Sequence, residues 1–296
     1  MKIAARSLAA LTVALAAALG GCALPAAADP ASLAGALRGS VTTSVEQARA
    51  DRAASLVPAQ EIPTLKTAGR LTVGVRADAG CPAAFTGADG ELEGYYVDFA
   101  SALAEEMGLR VTFVSVSGVD AALSDSVDAV LGVRSGESAV ATIVAPFEDE
   151  GVGLFGKGAS DVPDAAALAG ATVGAQDSSS SLRALGATDL AVRTRTYANV
   201  NAAFDALDAG EVDYVLCDVN SGGYLSTFYD DVSLAGTIAA PSRQGVALLS
   251  SDQALESAVD EAYARLESNG RLACIRARWF GTGERLGEGS VVRAAQ

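Results

Sequence analysis

Histidine is absent from all 296 residues, and lysine occurs only as Lys2, Lys66 and Lys157. Without histidine, the chain cannot use Ser-His or Cys-His nucleophilic catalysis or a histidine-ligated zinc ion, and it lacks the most common general base. So few lysines also leave little material for a Ser-Lys catalytic pair. The composition therefore argues against the common classes of hydrolase and zinc enzyme.

Cysteine is also scarce, with one residue at each of positions 22, 81, 217 and 274. Their spacing matches no metal-binding motif, so we expect no metal site and no cofactor. Cys22 belongs to an N-terminal motif described below. In an exported protein, the other three allow at most one disulfide and a spare thiol. The sequence does not indicate which of Cys81, Cys217 and Cys274 would pair.

Basic residues are outnumbered, because 36 acidic side chains oppose 21 basic ones and give a net charge of −15. A surface with this charge repels nucleic-acid phosphates and anionic lipid headgroups, whereas it attracts cationic and zwitterionic solutes. Half of the residues are hydrophobic, so the chain can form a sizeable core. We therefore expect a small solute as the partner and no nucleic acid.

One apolar run, Leu8 to Leu19, follows the basic residues Lys2 and Arg6 and precedes Gly20-Gly21-Cys22. It is too short for a membrane-spanning helix, which needs about 20 residues, and it is typical of a signal peptide. Its end resembles the lipobox of bacterial lipoproteins. The resemblance implies removal of residues 1–21 and lipidation of Cys22, which would anchor the protein on the extracytoplasmic face of the cell membrane. The alternative is an ordinary secretory signal with a chance cysteine.

The composition and hydrophobic pattern of the chain change near residue 66. Residues 22–65 are rich in Ala, Ser and Pro, and we predict a tether. After it, short β-branched runs alternate with amphipathic stretches, the pattern of βα units with a mainly parallel sheet. The predicted strands are 71–75, 111–116, 127–131, 171–175, 212–216 and 245–249, and the predicted helices are 99–107, 119–123, one starting near 182, 200–209, 252–266 and 272–280.

The second half of this region repeats the first. Ala171-Thr-Val-Gly-Ala175 repeats Leu71-Thr-Val-Gly-Val75, and Val212-Asp-Tyr-Val-Leu216 repeats Val127-Asp-Ala-Val-Leu131. The repetition favours two similar α/β lobes. The alternative is that the buried strands of any α/β protein look alike.

Several short motifs, taken in order, resemble the family 3 extracellular solute-binding proteins of ABC importers, which serve polar amino acids. The motifs are Leu71-Thr-Val-Gly-Val-Arg-Ala-Asp78, Gly94-Tyr-Tyr-Val-Asp-Phe99, Leu168-Ala-Gly-Ala-Thr-Val-Gly-Ala-Gln176, Val212-Asp-Tyr-Val-Leu-Cys-Asp218, Gly245-Val-Ala-Leu248 and Arg278-Trp-Phe-Gly281. The resemblance implies an α/β, two-lobed, type II periplasmic-binding-protein-like fold with a hinge between the lobes. It places the first lobe at 66–157 plus 243–284, the second at 158–242, a C-terminal tail at 285–296, and the solute in the cleft.

The resemblance also assigns roles to individual residues. It implies that Asp218 pairs with the solute's α-ammonium group, that Ser178, Ser179 and Ser180 receive its carboxylate, that Phe85 forms an aromatic wall, and that Asp78 contacts the solute's side chain. The assignments of Asp218, the serine run and Phe85 each have a plainer interpretation from the sequence alone. Asp218 at a strand end is also suited to cap a helix, the serine run to form a turn with an N-cap, and Phe85 to pack in the core.

The chain departs from the family pattern after Val130. Relatives carry a longer loop with an arginine that binds the solute carboxylate through both oxygens, whereas this chain reads Gly132-Val-Arg-Ser-Gly-Glu-Ser138. Arg134 is our candidate for that arginine. The alternative is that the carboxylate contact is lost and that Glu137 faces a cationic solute or amine.

These observations predict a monomeric substrate-binding lipoprotein, not an enzyme, that captures a small polar amino acid or related amine and delivers it to an ABC permease. An exported dehydratase on the same fold is the first alternative, with Asp218 or Glu137 as acid or base. A ligand-free sensor or scaffold that contacts a membrane protein is the second.

Overall fold

Two five-stranded mixed sheets with flanking helices make up the body of the protein. The computed structural model describes residues 55–59, 61–77, 79–88, 90–158, 163–282 and 284–292. The predicted signal segment, Cys22 and Asp78 lie outside these residues. Within them, no helix is both long and apolar enough to cross a membrane.

The first sheet has the strand order β4, β1, β5, β12, β6. Strand β1 is parallel to β4 and β5, and β12 is antiparallel to β5 and β6. A two-stranded hairpin, β2 with β3, precedes the first helix. The elements are β1 (Arg70–Arg76), β2 (Phe85–Thr86), β3 (Leu92–Glu93), β4 (Arg110–Val116), β5 (Ala129–Arg134), β6 (Ala141–Glu150) and β12 (Ser242–Leu249), with helices α1 (Tyr95–Glu106), α2 (Val119–Asp125), α6 (Gln253–Ser268) and α7 (Arg271–Phe280).

The second sheet has the order β11, β7, β10, β8, β9. Strands β8, β9 and β10 are parallel, and β7 pairs antiparallel with both β10 and β11. The elements are β7 (Val152–Lys157), β8 (Thr172–Gln176), β9 (Arg193–Tyr197), β10 (Tyr214–Asp218) and β11 (Val232–Thr237), with helices α3 (Ser180–Leu185), α4 (Val200–Asp208) and α5 (Val219–Ser226) and a short 3-10 turn at Glu288–Ser290.

This architecture confirms the predicted α/β fold with two lobes. Each predicted strand and helix overlaps an observed element, with ends that differ by a few residues. Strands β2, β3, β6, β7, β9 and β11 and helix α5 were not predicted. The boundary expected after residue 157 is wrong for β7, because this strand pairs with β10 and β11 and so belongs to the second sheet.

The chain crosses between the sheets at two adjacent places. One crossing is Gly151, between β6 and β7, and the other is the segment 238–241, between β11 and β12. The amide of Ile238 donates to the carbonyl of Val152 at 3.0 Å, and that of Val219 donates to the carbonyl of Gly151 at 3.0 Å. These backbone hydrogen bonds join the two crossings to each other and to the start of α5.

The end of the predicted tether packs on the first lobe. The amide of Ala59 donates to the carbonyl of Met107 at 3.0 Å, and Ile62 is buried in the core. Gly108 has a left-handed φ of +72°, and a Cβ there would clash with the carbonyl oxygen of Val57. Residues 56–59 and 61–65 are therefore part of the body, because an apolar side chain and close backbone contacts fix them to the first lobe.

Aromatic rings form the centre of the first lobe. Phe147 is fully buried and stacks on Phe99, with ring centroids 4.1 Å apart and planes 7° apart. The rings of Tyr95 and Tyr96 lie 5.6 and 5.3 Å from that of Phe147. Helix α1 is thus fixed to strand β6 by burial of large apolar area.

Replacing Phe147 by alanine should lower the free energy of unfolding by about 3–5 kcal/mol, because the cavity adds to the lost transfer free energy. Urea denaturation measures the loss. The control is Phe228→Ala, whose ring is 66% exposed and which should change stability by only about 0.5 kcal/mol. Equal losses in the two variants would contradict the assignment of Phe147 to the core.

Candidate functional site

The candidate residues of the second lobe meet at one edge of its sheet. Strands β8 and β10 are parallel, with Ala175 opposite Leu216, so their carboxyl ends lie side by side. Asp218 ends β10, and the segment Ser178 to Ser180 follows β8. The structure therefore brings these four candidates to the edge where α/β sheets usually bind ligands.

Asp218 is the N-cap of helix α5. Its Oδ1 accepts hydrogen bonds from the amides of Asn220 at 3.0 Å and Ser221 at 2.9 Å, which confirms the capping interpretation. Burial raises the pKa of the carboxyl group, the bonds from Ser221 and Asn220 lower it, and the nearby charge of Glu150 raises it again. Capping and solute binding are compatible, since a carboxylate has about four acceptor positions.

The serine run also contains a cap. Ser179 is the N-cap of α3 and accepts from the amide of Leu182 at 3.1 Å. Ser178 has the left-handed φ of 57°, and its carbonyl accepts from Arg183 at 2.8 Å. Ser178 and Ser180 are exposed, so their side chains face solvent at this edge.

Arg134 ends strand β5 and forms a two-point ion pair with Glu150. Its Nε lies 2.8 Å from Oε2, and its Nη2 lies 3.1 Å from Oε1. Glu137 accepts from the amide of Arg134 at 3.1 Å and pairs with Arg76 at 2.5 Å. Both competing candidates in this loop, Arg134 and Glu137, are therefore exposed and already paired within the first lobe.

Phe85 lies in the short strand β2 and is half-buried. Its ring meets that of Trp279 edge-on, with centroids 6.0 Å apart. Together with Arg76, Phe113 and Ser115 it lines a cavity of about 440 Å³ in the first lobe. The ring therefore packs on the core and also borders open space, so its proposed role as an aromatic wall stays a prediction.

Sequence reasoning missed a buried carboxyl group where the lobes join. Glu148 is only 5% exposed, and its Oε2 accepts from the hydroxyl of Tyr96 at 2.5 Å. Its Oε1 accepts from the side-chain amide of Asn220, in the second lobe, at 2.9 Å. Burial raises the pKa of Glu148 to about 8, the hydrogen bond from Tyr96 lowers it, and the charges of Asp218 and Glu150 raise it.

The next residue, Asp149, is buried in an ion-pair cluster. It lies 3.1 Å from both Arg276, itself only 4% exposed, and Arg285, and it accepts from the amide of Leu286 at 2.9 Å. The start of the predicted C-terminal tail is therefore fixed to strand β6. Removing one partner of such a buried pair is strongly destabilising, so Asp149 has a structural part.

The acidic run Glu148-Asp149-Glu150 was visible in the sequence, directly after the apolar residues at 143–147. It signals a strand that ends in polar contacts.

Cys81, Cys217 and Cys274 are all free thiols, and those of Cys81 and Cys274 are exposed. Among the described residues, no group of three or more acidic or cysteine side chains has the geometry of a metal site.

Known proteins resemble this chain in sequence and in fold. The L-cystine-binding protein TcyJ of Escherichia coli K12 is 26% identical over 226 residues, which cover 73% of this chain and 85% of that protein. A polar amino acid ABC uptake transporter substrate-binding protein from Streptococcus thermophilus superposes with a TM-score of 0.65 at 22% identity, over 73% of this chain and 87% of that one. The L-cystine solute receptor of Neisseria gonorrhoeae, in its unliganded open conformation, gives 0.62 at 20% identity, over 73% and 94%.

The solved structures share the fold of type II periplasmic binding proteins, which agrees with the two sheets and two crossings described above. The family model of the bacterial extracellular solute-binding proteins, family 3, matches residues 71–282. These residues contain both sheets, except for Arg70 at the start of β1, and every helix from α1 to α7. The chain therefore belongs to the bacterial extracellular solute-binding proteins, family 3.

Proposed function

We propose that this protein captures a small polar amino acid or a related amine between its lobes and delivers it to an ABC permease. The family and the relatives support amino-acid binding for import, and those relatives are solute-binding proteins rather than enzymes. The residues of the site support a solute that carries an ammonium group.

Charge is the observation that carries the proposal. The carboxyl groups of Glu148, Glu150 and Asp218 lie close together where the lobes join, because the charges of Asp218 and Glu150 act on Glu148 and that of Glu150 acts on Asp218. The guanidinium groups nearest to them are already paired, Arg134 with Glu150 and Arg276 with Asp149. Burial and the neighbouring acidic groups raise the pKa values of Glu148 and Asp218, and a bound ammonium group would offset this effect.

Asp218 is the carboxylate best placed to bind the ammonium group. It is fixed by two backbone hydrogen bonds at the carboxyl edge of its sheet and is held near Glu150 of the other lobe. Such a preorganised acceptor loses little side-chain entropy when the solute binds.

Arg134 is the candidate for the solute's carboxylate. Its bonds to Glu150 use Nε and Nη2, which leaves Nη1 without a partner among the described residues. A guanidinium group has five donors in a planar fork, so it can bind Glu150 and a solute carboxylate together. Ser178, Ser179 and Ser180 would contribute hydroxyl and amide groups from the second lobe.

A screen of amino acids, polyamines and quaternary amines by thermal unfolding tests the function. A true solute should raise the free energy of unfolding by about 2.7 kcal/mol at a hundredfold excess over Kd.

Asp218→Asn keeps a good N-cap but removes the charge, so it should fold normally and bind an ammonium-bearing solute about 3–5 kcal/mol more weakly. Asp218→Ala loses the cap and about 1 kcal/mol of stability, which separates capping from binding.

Failure of every solute to stabilise the wild type would support the sensor or scaffold alternative. Unchanged affinity in Asp218→Asn would remove Asp218 from the site. Turnover of the hit during the assay would instead support the exported dehydratase.

The carboxylate contact is tested with L-cystine and its decarboxylated analogue cystamine. Arg134→Lys should weaken binding of L-cystine and spare cystamine, because lysine replaces the fork by a point charge. Both proteins also carry Cys81→Ser and Cys274→Ser, because exposed thiols would exchange with the disulfide bonds of L-cystine and cystamine. Calorimetry measures both affinities. A wild type that prefers cystamine, with no change in Arg134→Lys, would favour Glu137 as the residue that faces the solute.

We also propose that the mature protein begins at a lipidated Cys22 and is held on the extracytoplasmic face of the membrane. The support is the motif Leu19-Gly20-Gly21-Cys22 at the end of the apolar run. Cys22→Ala should remain unprocessed or leave the membrane fraction, and intact-mass spectrometry should show an acylated N-terminus only in the wild type. A wild-type chain that starts at another residue would refute the anchor.

A further inference from the structure

Glu148 connects the two lobes through its side chain. The hydroxyl of Tyr96, from α1 in the first lobe, donates to one carboxyl oxygen, and the amide of Asn220, from α5 in the second lobe, donates to the other. The same amide group also donates to the carbonyl of Asp149 at 2.9 Å. No cation among the described residues lies within ion-pair distance of Glu148, although its carboxyl group is buried.

The surroundings of Glu148 satisfy it in two protonation states. When it is ionised, it accepts from Tyr96 and from Asn220. When it is neutral, its own proton can be donated to the oxygen of Tyr96, whose hydroxyl then donates to Oε1 of Gln244 at 3.3 Å. Each state has a complete set of hydrogen bonds, so the group can gain or lose a proton without leaving a buried donor unpaired.

The charges that face Glu148 come from several elements. Asp218 at the end of β10 and Glu150 on β6 disfavour its ionised form, while Arg276 on α7 favours it. Arg276 is itself paired with Asp149, which weakens its effect. Burial makes the largest contribution, and it favours the neutral form. Tyr96 is the titratable group of α1 in direct contact, and its own pKa is raised by burial and by Glu148.

Glu148 lies in register with the candidate site. Gln244 of β12 is paired with Arg134 of β5 on one side and with Glu148 of β6 on the other. The hydroxyl of Tyr96 contacts Glu148 and Gln244, and it lies so close to Gly132 of β5 that a Cβ there would clash with it. Glu148 lies two residues before Glu150 on β6, on the same face of the strand. A charge that enters beside Asp218 and Glu150 therefore acts on the carboxyl group of Glu148.

We propose that Glu148 is a specificity-determining residue that holds a proton while the cleft is empty and releases it when an ammonium group binds beside Asp218. This inference rests on the proposed function, because it places the ammonium group at Asp218. The released proton goes to solvent, and the carboxylate keeps its bonds from Tyr96 and Asn220. Binding of cations should therefore tighten as the pH rises toward 8, and a solute without positive charge gains nothing.

The first test uses the solute-free protein labelled with ¹³C at the glutamate carboxyl carbons. One resonance should titrate near pH 8 in the wild type and be missing in Glu148→Gln. In Tyr96→Phe it should titrate at higher pH, because the carboxylate loses a donor. This second variant keeps the test valid even if Glu148→Gln folds poorly. Absence of any glutamate that titrates above pH 7 overturns the inference, whatever the solute.

The second test is calorimetric titration with L-cystine at pH 7.0, in phosphate and in Tris buffer, in the variant without exposed thiols. The dependence of the heat on the buffer gives the number of protons released. We expect close to one proton with Glu148 present and close to none in Glu148→Gln. Binding without release overturns the coupling. A protein that shows the titration but binds no ammonium-bearing probe overturns the proposed function and the coupling together.

Discussion

The alternation of side chains at the end of strand β6 is the constraint on which the rest of the site depends. Successive residues of a strand point to opposite faces, so Glu148 and Glu150 share one face and Asp149 takes the other. Asp149 binds Arg276 and Arg285 and fixes the C-terminal segment. Glu148 instead accepts a hydrogen bond from Asn220, and Glu150 forms an ion pair with Arg134. One short acidic run therefore separates structural contacts from the contacts that border the cleft.

The position of this run explains why the hinge carries charge. Strand β6 leads directly through Gly151 into β7, so its last residues lie where the chain leaves one lobe for the other. The charge of Glu150, on one side of the crossing, raises the pKa of Asp218, on the other side, and so adds to the cost of ionising Asp218. A cation between the lobes lowers that cost.

Because the chain has no histidine, a proton exchange near neutral pH has to use another side chain, and Glu148 is suited to it. Histidine is the side chain whose ordinary pKa lies near neutrality, and this chain has none. A carboxyl group whose pKa burial raises to about 8 provides a proton that can be exchanged in the same range.

Much of the fold could be predicted from sequence, because buried β-branched runs such as 71–75 and 212–216 are strong local signals. Strand β6 was missed because Pro146 and three acids interrupt its apolar pattern, and β9 because its residues Arg193-Thr-Arg-Thr-Tyr197 are mostly exposed. The candidate positions Asp218 and Ser179 follow strands, and their capping was available from sequence because Asp and Ser are preferred N-cap residues. The partnership of Glu148 with Asn220 joins residues 72 positions apart and has no local signal.

The most direct measurement of the central claim is a crystal structure of the purified protein with the small molecule it retains or with a solute from the screen. The account predicts the solute between the two lobes, with its ammonium nitrogen within hydrogen-bond distance of Asp218 and its carboxylate near Arg134. A solute bound elsewhere, for example wholly within the cavity beside Phe85, or one without a positive charge, would contradict it.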